Sequence, residues 1–275
     1  MRYRGGHPQT NQADRKGDTV KKFVWFAIAL FLIVFNPALT LTAQEDGWEE
    51  IFVNSNKAYR DGRFNDAARG YLSLISSGQK NGHIYYNLGT SCYRMGELGR
   101  AVLNYERASL LIPGDADLKF NLNYVEEQTL DVISQPQGFM DMVFAWLNSL
   151  SFPELLWWFA GLNFFFSVII LFRLFYKAEW VYYLFLIFAF LWVISGISFG
   201  LKWYQVESDE RAVILDKEVS VLAGPDSGDI VLFKLHEGAI VHYERSEGKW
   251  ALICLSGEKR GWVKKDAVEC IKGCS

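Results

Sequence analysis

Hydrophobic positions along this chain fall into three kinds of pattern. Three runs are apolar almost without interruption: residues 23–35 hold 13 consecutive apolar residues, residues 155–172 hold 18 without a charge and residues 181–201 hold 21. Residues 48–133 mix apolar and polar positions in a way that predicts consecutive helices. Beyond residue 211 the apolar residues come in short β-type runs at 212–215, 219–222, 230–235, 239–244, 250–255 and 261–263. Turn residues punctuate them: Gly224 with Pro225, Glu237 with Gly238, Glu247 with Gly248 and Ser256 with Gly257.

Each apolar run has its own reading. Lys21 and Lys22 precede the first, Asn36 and Pro37 break it, and Thr40, Leu41, Thr42 and Ala43 follow. A charged start, a short apolar stretch and small residues form a secretory signal pattern, so residues 1–43 are expected to be a disordered start and signal peptide. An uncleaved anchor is the alternative, although the run is short for about 30 Å of hydrocarbon. The two longer runs predict transmembrane helices at 153–176 and 181–204, because a helix of that length satisfies every backbone group internally. Trp157, Trp158, Tyr176, Trp180, Tyr182, Tyr183, Trp203 and Tyr204 cluster near their ends, as an interfacial belt does.

Orientation follows from charge. Arg173, Lys177 and Glu179 lie at the short connector, whose loop is 177–180, whereas Glu154 and Lys202 stand at the opposite ends, with Asp141, Glu207, Asp209 and Glu210 further out. The positive-inside rule puts the connector in the cytoplasm and both large polar segments outside. Residues 134–152 read as a linker whose amphipathic stretch at 139–150 either lies in the interface or extends the following helix.

Net charge is −3, with local balances of +4 over residues 1–22, −5 over 44–152 and −3 over 204–275. Neither large polar segment is basic, so nucleic acid is excluded as a partner on electrostatic grounds. His83, His236 and His242 have no metal-ligand companion at helical or strand spacing. The chain carries no nucleophile elbow, phosphate loop or dinucleotide fingerprint. No catalytic residue, metal or cofactor is therefore assigned, and the expectation is a protein that is not an enzyme. Of the four cysteines, Cys92 falls at a helix-packing position, as a core thiol does. Cys254, Cys270 and Cys274 are able to form a disulfide in an oxidising compartment, Cys254–Cys270 being one pairing. A redox role for Cys270 and Cys274 is a further alternative.

The helical segment repeats itself. Gly62, Ala67 and Tyr71 recur 34 residues later as Gly96, Ala101 and Tyr105. Tyr85, Leu88, Gly89, Gly96, Ala101, Tyr105, Ala108 and Pro113 match the spacing of a tetratricopeptide unit, which residues 44–133 resemble. The first copy departs from the pattern: Ser55 stands for the first glycine, Leu74 for an alanine, and no proline closes it. A capping helix is expected at 117–131. Two repeats and a cap are few for independent stability, so the array is expected to lean on a further surface, such as a partner. The resemblance implies a concave groove for a peptide, presenting Phe52, Asn56, Tyr59, Arg60, Tyr86, Thr90, Tyr93, Arg94, Phe120 and Tyr124. Aromatic faces beside guanidinium groups suit a peptide with apolar side chains and a carboxylate.

Residues 205–275 resemble a bacterial SH3-type domain. The landmarks are Val219 to Pro225, Leu235 to Gly238, Trp250 to Ile253, and Gly261, Trp262 and Val263. Leu222 stands where that family usually has arginine. Such domains often bind cell-wall peptides or proteins, and Trp250 and Trp262 are the ligand candidates, with core packing as their other role.

Taken in order, the segments predict a multi-domain membrane protein: a helical solenoid, a transmembrane hairpin and a small all-β barrel. This architecture resembles the BatE-type proteins of bacterial aerotolerance operons. The resemblance implies a scaffold in an oxidative-stress envelope complex of the cytoplasmic membrane. Von Willebrand factor A-domain membrane proteins and a MoxR-type ATPase system are the implied partners. A cell-wall module that binds peptidoglycan peptides is the alternative.

Overall fold

The computed structural model describes residues 47–131, 147, 149–176, 178–255 and 259–273. The expected signal peptide and most of the expected linker lie outside these residues. Asp46–Leu155 and Gly200–Ser275 together form one compact unit, and Leu156–Phe199 belongs to a second.

Five helices open the first unit: α1 (Trp48–Arg60), α2 (Phe64–Ser76), α3 (Gly82–Arg94), α4 (Leu98–Leu111) and α5 (Ala116–Glu126). The turns after α1 and α3 are copies of each other. Gly62 and Gly96 take φ of 79° and 78°, a region that costs glycine little. In each turn the glycine N–H and the N–H after it bond back to the preceding helix: Gly62 N to Tyr59 O, Arg63 N to Ala58 O, Gly96 N to Tyr93 O and Glu97 N to Cys92 O, all at 2.9–3.0 Å. Asn81 and Asp115 cap α3 and α5, their side chains accepting from His83 N and Leu118 N at 2.9 Å. The last helix stops at Glu126 rather than running to Asp131, because the Thr129 hydroxyl and N–H both turn back onto Glu126 O.

The helix pairs close on a reciprocal notch. Gly89 on α3 leaves room for the Tyr105 ring of α4; a Cβ there would sit 2.8 Å from Tyr105 Cδ1. In the first pair the small residue is on the other helix. Gly70 on α2 faces Ser55 on α1, and a Cβ at Gly70 would collide with the Ser55 hydroxyl, which donates to Ile51 O at 2.7 Å. The departure at Ser55 is thus compensated 15 residues later. Tyr71, Leu74, Ile84, Leu88, Cys92, Ala101, Tyr105 and Ala108 fill the core between the helices.

The strands are β1 (Arg211–Ile214), β2 (Glu218–Leu222), β3 (Val231–His236), β4 (Ile240–Glu247), β5 (Trp250–Cys254), β6 (Arg260–Lys264) and β7 (Val268–Cys270). They form one antiparallel sheet in the order β3-β2-β6-β5-β4-β1-β7. Six match the expected runs within a few residues, and β7 is additional. Alternation places Val219, Val221, Val241, Tyr243, Ala251, Ile253 and Val263 in a common core.

The further surface for the helices is supplied by this sheet. Strand β1 is covered on both faces: Ala212 and Ile214 join the sheet core, whereas Val213 joins the helical one. Helix α4 approaches so closely at Gly99 that a Cβ would lie 2.6 Å from Ile214 O. Arg107 of α4 donates to Ile271 O at 3.1 Å and to Cys270 O and Glu269 Oε1 at 2.8 Å. Arg211 of β1 pairs with Glu106 of α4 at 3.0 Å and donates to both carboxylate oxygens of Asp209 at 2.9 and 3.0 Å. At the other margin, Asp131 accepts the His236 N–H at 2.6 Å.

Glu126 sits beside this charged cluster. Burial, and then the negative Glu106, push its carboxyl up to about 7, against the pull of Arg211. A raised carboxyl value means that the folded state holds the proton more tightly than the unfolded chain. Stability from this group is therefore full below the ordinary carboxyl value near 4.5 and is lost as pH rises towards about 7. Denaturant midpoints taken from pH 5 to 8 should fall over that window, and Glu126→Gln should flatten the fall. An unchanged slope in the variant would assign the effect elsewhere.

The second unit holds most of α6 (Phe152–Phe175) and α7 (Glu179–Glu207), of 24 and 29 residues. Both are long and apolar enough to cross a membrane. Aromatic rings pair between them: Phe159 with Phe199 at 5.3 Å, and Phe166 with Phe185 and Trp192 at 5.6 and 5.7 Å.

Candidate functional site

The ten residues expected to line a groove lie on α1, α3 and α5, the first helix of each pair and the closing helix. Asn56 is a hub between elements: its Oδ1 accepts from Tyr71 Oη at 2.6 Å and from Asn87 Nδ2 at 3.1 Å. Thr90 accepts from Tyr105 Oη at 3.1 Å and donates to Tyr86 O at 2.8 Å. Asn121 Nδ2 donates to Tyr86 Oη at 2.7 Å. These bonds tie α1 to α3 and α3 to α5. They leave Asn56, Thr90 and the Tyr86 hydroxyl with partners inside the protein.

The aromatic residues divide in the same way. Phe52 packs edge-on to Tyr71 at 6.2 Å, and Tyr59 packs against Phe64 at 5.4 Å. The Arg94 guanidinium lies over the same Phe64 ring at 4.8 Å, joining the two repeats by a cation–π contact. Towards α5 the face opens. Tyr93 meets Tyr124 edge-on at 6.0 Å, and Tyr124 stacks on Phe120 at 6.3 Å. Phe120 is 70% exposed and Tyr124 49%. Arg60 is exposed at the opposite end. Sequence reasoning missed Asn87, Asn121 and Gln128, whose amides bridge these helices. Their signal is position: Asn87 follows Tyr86, Asn121 follows Phe120, and Gln128 lies one turn beyond Tyr124.

Burial pushes the Tyr71 and Tyr105 hydroxyls up to about 12, so both stay protonated and keep donating at neutral pH. It pushes the Cys92 thiol up to about 12 as well, which leaves almost no thiolate for chemistry.

On the sheet, Trp262 is 7% exposed and packs with Leu222 and Leu252, and Trp250 borders the same cluster. Arg245 lies over the Trp262 ring at 5.6 Å. The Cys254–Cys270 pairing is not formed. Cys254 is a free thiol whose Sγ donates to Leu255 O at 3.1 Å, and Cys270 is disulfide-bonded. Strands β4 and β1 stand between β5 and β7, a separation of about 14 Å at the usual strand spacing, and disulfide Cα atoms lie within about 7 Å. Among the described residues no group of three His, Cys, Asp or Glu side chains is placed to hold a metal ion.

Comparison with family models, with curated proteins and with solved structures gives no match.

Proposed function

We propose that this chain is a non-enzymatic, membrane-anchored scaffold that holds a partner protein or peptide on the face formed by α1, α3 and α5. The observation that carries the reading is the open aromatic end of that face, Tyr93 with the exposed stack of Phe120 and Tyr124, on helices cross-braced by Asn56, Asn87 and Asn121. A rigid backing with a few exposed rings is what a peptide-binding surface needs, because little is left to order on binding. The turns at Gly62 and Gly96, 34 residues apart, support reading the helices as a tetratricopeptide array.

In this reading α6 and α7 cross the bacterial cytoplasmic membrane, with the helices and the SH3-like sheet on its outer side. The proposed setting is an aerotolerance-type envelope complex, with von Willebrand factor A-domain proteins and a MoxR-type ATPase system as candidate partners. In native membranes, Phe120→Ala with Tyr124→Ala should cut partner recovery on affinity purification by about tenfold, as loss of exposed aromatic anchors does. The thermal midpoint should stay within a few degrees. Full recovery from the double variant would remove the face from the interaction.

A further inference from the structure

The sheet has a second apolar cluster that faces away from its own core. Register puts its members on one surface. Trp250, Leu252 and Cys254 of β5 stand opposite Lys264, Trp262 and Arg260 of β6. The next strand places Arg245 opposite Leu252 and Glu247 opposite Trp250. Leu222 of β2 stands opposite Trp262. An aromatic and leucine strip thus runs across β2, β6 and β5, flanked by Arg245, Arg260 and Lys264, with Glu247 beside Trp250.

Like Lys57, Arg60 and Lys80, those cations differ from seven others of the same unit. Arg63, Arg69, Arg100, Arg107, Arg211, Lys234 and Lys272 each hold a carboxylate. Among the described residues no carboxylate pairs with Arg245, Lys249, Arg260, Lys264 or Lys265, although Glu244, Glu247 and Asp266 lie on or beside these strands. Cations left without carboxylates around the half-buried Trp250 attract an anionic chain that also carries an apolar side chain.

The geometry points to this face of β4, β5 and β6 as a docking surface for an acidic linear segment of a partner protein, with carboxylates on Arg245, Arg260 and Lys264 and an apolar side chain against Trp250. It is a second surface, independent of the α1, α3 and α5 face.

The test uses the full chain in detergent micelles and a fluorescein-labelled peptide of alternating glutamate and leucine, with a lysine–leucine peptide of equal length as control. Anisotropy should rise with the acidic peptide only, and affinity should fall about tenfold between 50 and 300 mM salt, as screening requires. Arg260→Glu with Lys264→Glu, both exposed strand positions, should weaken binding at least tenfold, and Phe120→Ala with Tyr124→Ala should not. Equal binding of the two peptides, no saturation with the acidic peptide, or an unchanged affinity in the charge-reversed protein would overturn the assignment.

Discussion

Gly99→Leu will separate the helical array from the sheet, with a loss of about 3 kcal/mol, the cost of overpacking a contact that has no room to relax. The obstacle is backbone rather than a movable side chain: the nearest atoms to an added Cβ are Ile214 O at 2.6 Å, the Leu215 Cα at 3.1 Å and the Gly238 N at 3.3 Å. Gly238 itself has φ of 86° and lies against Thr129 and Val102, so it cannot easily retreat. A loss of that size in a unit of this length corresponds to a fall of about 6–12 °C in the thermal midpoint. The same substitution at Gly47, where nothing lies within 4 Å, should do little. If Gly99→Leu melts with the parent protein, the close approach of α4 to β1 is not as described.

Arg211→Ala should cost about as much by a different route. Arg211 is the positive charge set between Glu106 and Asp209, with Glu126 near by. Burial pulls its own proton affinity down, but Glu106 and Asp209 more than restore it, so the guanidinium remains charged. Removing one member of a buried pair leaves an uncompensated charge, which costs about 3–5 kcal/mol when fully desolvated. Arg211 keeps 23% of its side chain exposed, so a value near the lower end is expected. Adding Glu106→Gln to the alanine variant should recover part of the loss. Chemical denaturation of the three proteins gives the coupling directly. A double variant no more stable than Arg211→Ala would show that the charge balance at this interface is not what holds it.

The sequence shows the separate pieces more readily than their assembly. Turn glycines and six of the strands follow from local rules, since positive φ and alternation are settled within a few residues. The union of helices with sheet was also written in the chain, but in a form that local rules do not decode. Ala212, Val213, Ile214 and Leu215 make an uninterrupted apolar run, the mark of a strand with both faces covered. Their meaning depended on α4, more than 100 residues earlier. Gly99, in the first turn of a helix, is poor in helix propensity and had no local justification; Ile214 O supplies it.

At the candidate face, residue identity was legible but engagement was not. Asn56, Tyr86 and Thr90 bond to partners 15 to 35 residues away, a matter of helix packing. Periodicity shows that a residue shares a face, not whether its polar atom is already taken.

Val213 belongs to the same apolar cluster as α4, yet α6 and α7 intervene in the chain. Two segments that interlock as one body must end up in the same aqueous compartment. On the proposed reading that α6 and α7 cross a bilayer, a variant in which α7 alone fails to insert strands β1 where α4 cannot reach it.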